Sequence, residues 1–139
     1  MKITDTTSRA LTETDFNLWK TILWATTDGD CDSLNDNYNV SDVAPESIAK
    51  VNDQWWQFRE EAEHVLTRHG LEDATLDDLW PTRAEHCYVL VRDGHGVSFT
   101  DDYCPGSRCH AIAMDLDRIA ARHPSIDAYA GDDGRIYCS

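Results

Sequence analysis

Cysteine, histidine, aspartate and arginine are the side chains through which this sequence could do chemistry. Cys104 and Cys109 are separated by four residues, with His110 adjacent. Thiolate sulfur and imidazole nitrogen are the donors that hold Zn²⁺, and His86, Cys87 and Cys138 can join them if the fold allows. Structural zinc sites usually show two tight pairs, and here there is one loose pair. Cys104, Cys109 and His110 are thus metal candidates set against plainer readings, free thiols or a Cys104–Cys109 disulfide. Cys87 and Cys138 lie in apolar runs and read as small buried hydrophobes. His95 stands between Gly94 and Gly96, with Asp93, Asp101 and Asp102 near in sequence. An imidazole beside carboxylates can serve as general base or metal ligand. The plainer reading is that the glycines give backbone freedom while His95 caps or packs on a neighbour. The sequence holds no Gly-x-Ser-x-Gly, no His-Glu-x-x-His and no phosphate-binding glycine loop, so binding rather than catalysis is the expectation, and no cofactor is expected.

Two further groups carry charge. The stretch 28–42 holds Asp28, Asp30, Asp32, Asp36 and Asp42, with Asn35, Asn37 and Asn39 between them. Asp28, Asp30 and Asp32 match the start of an EF-hand loop, but Ser33 stands where the glycine is needed and Asn39 where the bidentate glutamate is needed. An ordered Asx-turn loop, with Tyr38 and Val40 pinned to the core, is the stronger reading. Arg92, Arg108, Arg118 and Arg135 are the candidates for a phosphate-bearing ligand, since the guanidinium fork matches phosphate.

These residues need elements to hold them, and the pattern implies an α+β fold. It predicts an antiparallel sheet of about four strands, in two hairpins, packed against three to four helices. Thr14 can cap a first helix with Asp15 in its first turn. Phe16, Trp19, Ile22, Leu23 and Thr26 then recur at helical spacing, and Asp28-Gly29-Asp30 ends the helix near Thr27. A second helix begins at Pro45 and ends at Gly70. Its stripe is Ile48, Val51, Trp55, Phe58, Ala62 and Val65, with Trp56 off the stripe as core cover or partner anchor. A short helix after Asp73 or Thr75 stops at Pro81. Cys87 to Val91 reads as a buried strand, and Asp93-Gly94 as the turn of a hairpin returning through Val97 to Thr100. A helix from Ser107 or Arg108 to before Pro124 buries Cys109, Ile112, Leu116 and Ile119. A second hairpin turns at Gly131-Asp132-Asp133-Gly134, between Ala128–Ala130 and Arg135–Cys138.

The 139 residues predict one domain, 1–139, with 1–12 loose. Five Trp, five Tyr and three Phe supply much of its core. The formal net charge is −14 and only three lysines are present. Such a surface repels nucleic acid and anionic membranes and attracts basic partners. A solubility device, a salt-adapted host or compositional bias would produce the same charge. Met1 to Asp5 lacks the apolar segment of a signal peptide, no run reaches the length of a membrane span, and the odd cysteine count suits reduced thiols in a cytosol.

One resemblance joins these pieces. A helix rich in Trp and Leu is followed by Asp36-Asn37-Tyr38 and Val43-Ala44-Pro45-Glu46. Then come Arg92-Asp93-Gly94-His95-Gly96-Val97-Ser98-Phe99 and Tyr129-Ala130-Gly131-Asp132-Asp133-Gly134-Arg135-Ile136-Tyr137. Collinear from about Phe16 to Tyr137, this resembles a group of small acidic proteins encoded by tailed bacteriophages and prophages. The sequence departs from that pattern at Thr100 and Asp102, and at Cys104 and Cys109, which argues against an essential cysteine site. The resemblance carries over no catalytic residue. It implies an accessory binding protein acting in the cytoplasm of an infected bacterial host. Its partner would be a host protein, with a nucleic-acid-binding protein and mimicry of nucleic acid as one version. Asp28, Asp30, Asp32, Asp36, Asp93, His95, Asp101 and Asp102 are the candidates for that surface. The alternatives are a protein that sequesters a small molecule or nucleotide through its arginines, and a metal-dependent enzyme using His95.

Overall fold

A capping box starts the first helix, α1 (Glu13–Ala25). The Thr12 hydroxyl accepts the Asp15 N–H at 3.0 Å, and the Asp15 carboxylate accepts the Thr12 N–H at 3.2 Å. The cap is therefore Thr12 and not Thr14, because a capping box needs an acceptor three residues on, and Thr12 has Asp15 there. Asp15 is buried and also accepts from the Asn52 amide at 3.0 Å. Leu18, Trp19, Ile22 and Leu23 are buried, whereas Phe16, expected among them, is exposed. After α1 the chain is held by the Leu34 N–H on the Thr26 carbonyl and the Ser33 hydroxyl on the Trp24 carbonyl.

The computed structural model describes residues 11–27, 33–71, 73–80, 84–95, 98–101 and 107–138. Two short 3₁₀ turns, Leu34–Asp36 and Val40–Asp42, follow α1. The second is capped by Asn39, whose side chain accepts the Ser41 N–H while Asp42 accepts the Asn39 N–H. This is the local Asx bonding expected of the loop. Val40 is buried and Tyr38 half-buried.

α2 (Pro45–Arg68) buries Val51, Trp55, Phe58, Ala62 and Val65 as its spacing requires, with Ile48 half-buried. It ends at Gly70, which has φ 79°. The N–H of Gly70 reaches the Thr67 carbonyl and that of Leu71 the Leu66 carbonyl, the paired bonds of a Schellman stop. α3 (Leu76–Leu79) is one turn capped by Thr75.

The first expected hairpin is absent. Its first strand is instead α4 (Ala84–Arg92), and Phe99–Asp101 in its second strand is a 3₁₀ turn. Short runs that are apolar all round do not distinguish a buried strand from a buried helix. Here Ala84, Cys87, Tyr88, Val89 and Leu90 are all buried, as on a helix wrapped by neighbours. The Asp93-Gly94 signal belongs to a helix end for a physical reason. A tight hairpin turn and a helix stop both need positive φ, and Gly94, at φ 75°, serves the helix stop. Its N–H bonds the Val91 carbonyl and the His95 N–H bonds the Leu90 carbonyl. α5 (Ser107–Arg122) buries Ile112, Ala113, Leu116, Ile119 and Ala120.

The second hairpin is present, as β1 (Ala128–Ala130) and β2 (Ile136–Cys138), antiparallel with Tyr129 opposite Tyr137. Among the described residues the fold is thus mixed, with four helices of nine residues or more and a two-stranded sheet in place of about four strands. Contacts divide the chain into two compact units, residues 1–53 with 126–139 and residues 54–125. The first has a core of Leu18, Trp19, Ile22, Leu23, Leu34 and Ile136. The second is built on aromatic rings. Phe58 lies 4.6 Å from Tyr88 and 5.8 Å from Phe99, and Trp80 meets Phe99 edge-on at 5.6 Å while donating its indole N–H to the Phe99 carbonyl at 3.0 Å. Asp117 on α5 accepts the Phe99 N–H at 2.7 Å, which anchors the 3₁₀ turn. Among the described residues no helix is long and apolar enough to cross a membrane.

Candidate functional site

The densest polar constellation lies within the unit 54–125. Arg92, at the end of α4, is buried. Its Nε and NH2 donate to the two carboxylate oxygens of Asp93 at 2.8 and 3.0 Å, and its NH1 reaches Gln54 Oε1 at 3.5 Å. Its guanidinium carbon lies 5.3 Å from the Tyr88 ring centre. Burial disfavours the Arg92 charge, but the Asp93 carboxylate more than offsets this and keeps the guanidinium pKa above its ordinary value. The Tyr88 phenol is pushed up by burial, with Arg92 working the other way. The Tyr88 hydroxyl meets His123 Nδ1 at 3.1 Å, and His123 Nε2 meets Glu61 Oε1 at 2.8 Å. Arg122 stands 3.7 Å from the other Glu61 oxygen. This chain of contacts ties α2, α4 and the end of α5 together. The Tyr88 side chain at its centre is fully buried, so its chemistry is structural: it satisfies polar groups inside the unit.

A second constellation centres on Asp115. His69 Nε2 lies 3.0 Å from one oxygen, Arg118 NH1 2.7 Å from the other, and Arg68 3.9 Å away. The His69 hydrogen bond first, then Arg118, lowers the Asp115 pKa. Arg59 lies over the Trp56 ring at 5.3 Å and 3.8 Å from Glu63. Trp56 itself is 54% exposed, so it is not core cover. All five arginines whose side chains are described in this unit, at 59, 68, 92, 118 and 122, therefore sit on carboxylates.

In the other unit the charge is left open. Glu13, Asp36, Glu46, Asp53, Asp127, Asp132 and Asp133 are exposed. Asp133 accepts the Tyr137 hydroxyl at 2.6 Å and the Arg135 N–H at 3.1 Å. The first bond, followed by the second, lowers the Asp133 pKa, and the Asp133 carboxylate in turn raises that of Tyr137.

The predicted site residues are thus dispersed. Asp36 is exposed, and Asp93 is committed to Arg92. His95 is exposed just past the stop of α4, on a helix terminus and not on a hairpin tip. Asp28, Asp30, Asp32, Asp102 and Cys104 lie outside the described residues, as do the side chains of Asp101, Arg108 and Cys109. His110 is exposed near the start of α5. Of the ligand-binding arginines, Arg92 and Arg118 each hold a carboxylate, and Arg135 is exposed in the turn of the other unit. Cys87 is a buried helical residue, and Cys138 is half-buried on β2. Among the described residues no group of three or more His, Cys, Asp or Glu is placed to hold a metal ion. Sequence reasoning missed Glu61, His69, Asp115 and His123. Their partners lie 46 and 62 residues away, so no local spacing signals them. Comparison of the chain with protein-family models, curated proteins and solved structures returns no match.

Proposed function

We propose that the chain is a phage-encoded accessory protein whose acidic surface binds a basic region of a host protein. The observation that carries this reading is the distribution of charge behind the net −14. In the unit 54–125 the described arginines face carboxylates, so positive charge is consumed within the fold. Exposed carboxylates remain on both units, at Glu13, Asp36, Glu46 and Asp53 on one and at Glu60, Asp73 and Asp78 on the other. Such a surface accelerates encounter with cationic partners and repels nucleic acid itself. The resemblance to small acidic phage proteins supports a partner inside an infected bacterium. A host protein whose basic groove normally holds nucleic acid is the version with the best electrostatic match. Arginines already held by Asp93 and Asp115 are poorly suited to a phosphate ligand, which disfavours nucleotide sequestration.

The test is retention of proteins from a bacterial lysate on the immobilised chain across a salt series. A basic protein held in stoichiometric amount at low salt and released at moderate salt is the expected result, because screening shortens the reach of exposed charge to about 8 Å at physiological ionic strength. Retention of no protein at low salt refutes the reading.

A further inference from the structure

The two edges of the small sheet are treated differently. Gly131 donates to the Arg135 carbonyl at 2.7 Å. By the alternation of an antiparallel ladder, Tyr129 and Tyr137 then bond each other, while the backbone groups of Ala128, Ala130, Ile136 and Cys138 point outward. On β2 those outward groups are used. The Ile136 carbonyl accepts the Ala44 N–H at 2.9 Å, and the Cys138 N–H donates to the Ser47 hydroxyl at 3.1 Å. On β1 the outward N–H and C=O groups of Ala128 and Ala130 have no partner among the described residues. An edge whose backbone groups are unbonded is a template for a further strand, Ala130 on this one being exposed, and a two-stranded hairpin is marginal by itself.

The face beside that edge has its own chemistry. Ala128 and Ile136 turn inward and are buried, which leaves Tyr129, 50% exposed, stacked on Tyr137 with ring centres 6.0 Å apart. The Tyr137 ring lies so close over the turn that a Cβ on Gly131 would come within 2.7 Å of it. Asp127, before β1, and Asp132 and Asp133, in the turn, are exposed, Asp133 accepting the Tyr137 hydroxyl at 2.6 Å, with Arg135 as the cation of this turn. We infer that the β1 edge takes an extended, basic segment of a partner protein as a third strand, a Lys or Arg of that segment lying on the tyrosine pair among these carboxylates. Backbone bonds to Ala128 and Ala130 supply the docking mode, and cation–π contact with charge complementarity selects the side chains. A second copy of this chain is a poor occupant, since it brings its own Asp127, Asp132 and Asp133 against the same carboxylates. The inference rests on the reading of a basic partner and names where and how it docks.

The probe is a blocked peptide of about six residues alternating Arg and Val, at low ionic strength, followed by amide NMR of the full chain. The expected result is slowed hydrogen exchange at the Ala128 and Ala130 amides, lost when the peptide is N-methylated on its bonding edge. Ala130→Pro, which removes an outward donor at an edge position that tolerates proline, weakens binding about tenfold. Tyr129→Ala, which leaves the backbone intact, weakens it about threefold. Equal binding of the N-methylated peptide, or affinity unchanged by both substitutions, overturns the docking mode, as does failure of the peptide to bind. If the lysate experiment retains a basic protein equally well on the Ala130→Pro chain, the acidic-surface reading stands and the edge falls.

Discussion

Removing Asp93 tests whether the buried guanidinium organises the unit 54–125. The Arg92 side chain is fully buried and Asp93 is its bidentate partner, at 2.8 and 3.0 Å. Hydrogen bonds to charged groups are each worth about 1.5–3 kcal/mol. Asp93→Ala removes two and leaves the cation with the Gln54 amide at 3.5 Å and the Tyr88 ring. Breaking a buried pair from one side costs about 3–5 kcal/mol. Asp93 is 12% exposed, so water can approach the vacated space, and the lower end, about 3 kcal/mol, is expected. With a urea slope of about 1.5–2 kcal/mol/M the unfolding midpoint falls by about 1.5–2 M. The decisive comparison is the double variant Arg92→Met/Asp93→Ala. Methionine keeps much of the apolar stem and leaves no charge to strand, so the double variant should recover at least about half of the loss. Urea unfolding followed by tryptophan fluorescence reads all three proteins. A loss below about 1 kcal/mol for Asp93→Ala, or a double variant no more stable than Asp93→Ala, refutes the argument.

Two further outcomes follow from particular geometries. Gly94→Ala should cost about 1–2 kcal/mol in urea unfolding, since φ 75° is strained for alanine and no atom lies within 4 Å of the added Cβ; a neutral result rules out the helix stop. Asp115→Asn should alter the acid limb of stability, because His69 and Arg118 hold the Asp115 pKa below its ordinary value in the folded state. The folded state then releases that proton more readily than the unfolded one, so the contribution is complete above the ordinary carboxylate range and is lost as pH falls below it through the lowered folded value. Wild type and variant should therefore differ most above about pH 5 in thermal melts, the difference shrinking as pH falls below the ordinary carboxylate range, and a difference that stays constant on acidification refutes the assignment.

What was legible in the sequence was the part set by local rules. The stripe from Val51 to Val65 and the stop at Gly70 follow from helical period and glycine chemistry, and both stand in the structure. So do the α5 stripe from Ile112 to Ile119, the one-turn helix after Thr75, and the hairpin closed by Gly131-Asp132-Asp133-Gly134. Its Gly134 takes φ 80° at the end of the loop, as a three-residue hairpin loop requires. Cys87 to Val91 was not legible, because that run has no polar face to set a period and its Asp-Gly is compatible with two backbone outcomes. The site was less legible than the fold. Charge on the surface can be counted from sequence, but which arginines are neutralised depends on contacts such as Glu61 with His123, 62 residues apart. Arg92 shows the consequence. As a sequence feature it is a cation beside a glycine turn, and in the structure it is an interior group closed off by Asp93.

The separation of paired from unpaired charge leads to opposite effects of salt on stability and on binding. With a net charge of −14, exposed carboxylates repel one another in the compact state. The pairs that oppose this repulsion divide into two kinds. Arg92–Asp93 is buried and is little affected by salt. Exposed pairs such as Arg118–Asp115 and Arg122–Glu61, with arginine side chains 64 and 65% exposed, are each worth about 0–1 kcal/mol. At this net charge their loss on screening should be smaller than the repulsion removed with it. As NaCl rises from about 0.01 M to about 1 M the screening length falls from about 30 Å to about 3 Å. The thermal midpoint should therefore rise over the same range in which a basic partner dissociates. A midpoint that falls with NaCl would mean that the exposed pairs outweigh the repulsion, and the acidic surface would then be too well compensated to act as the attracting element.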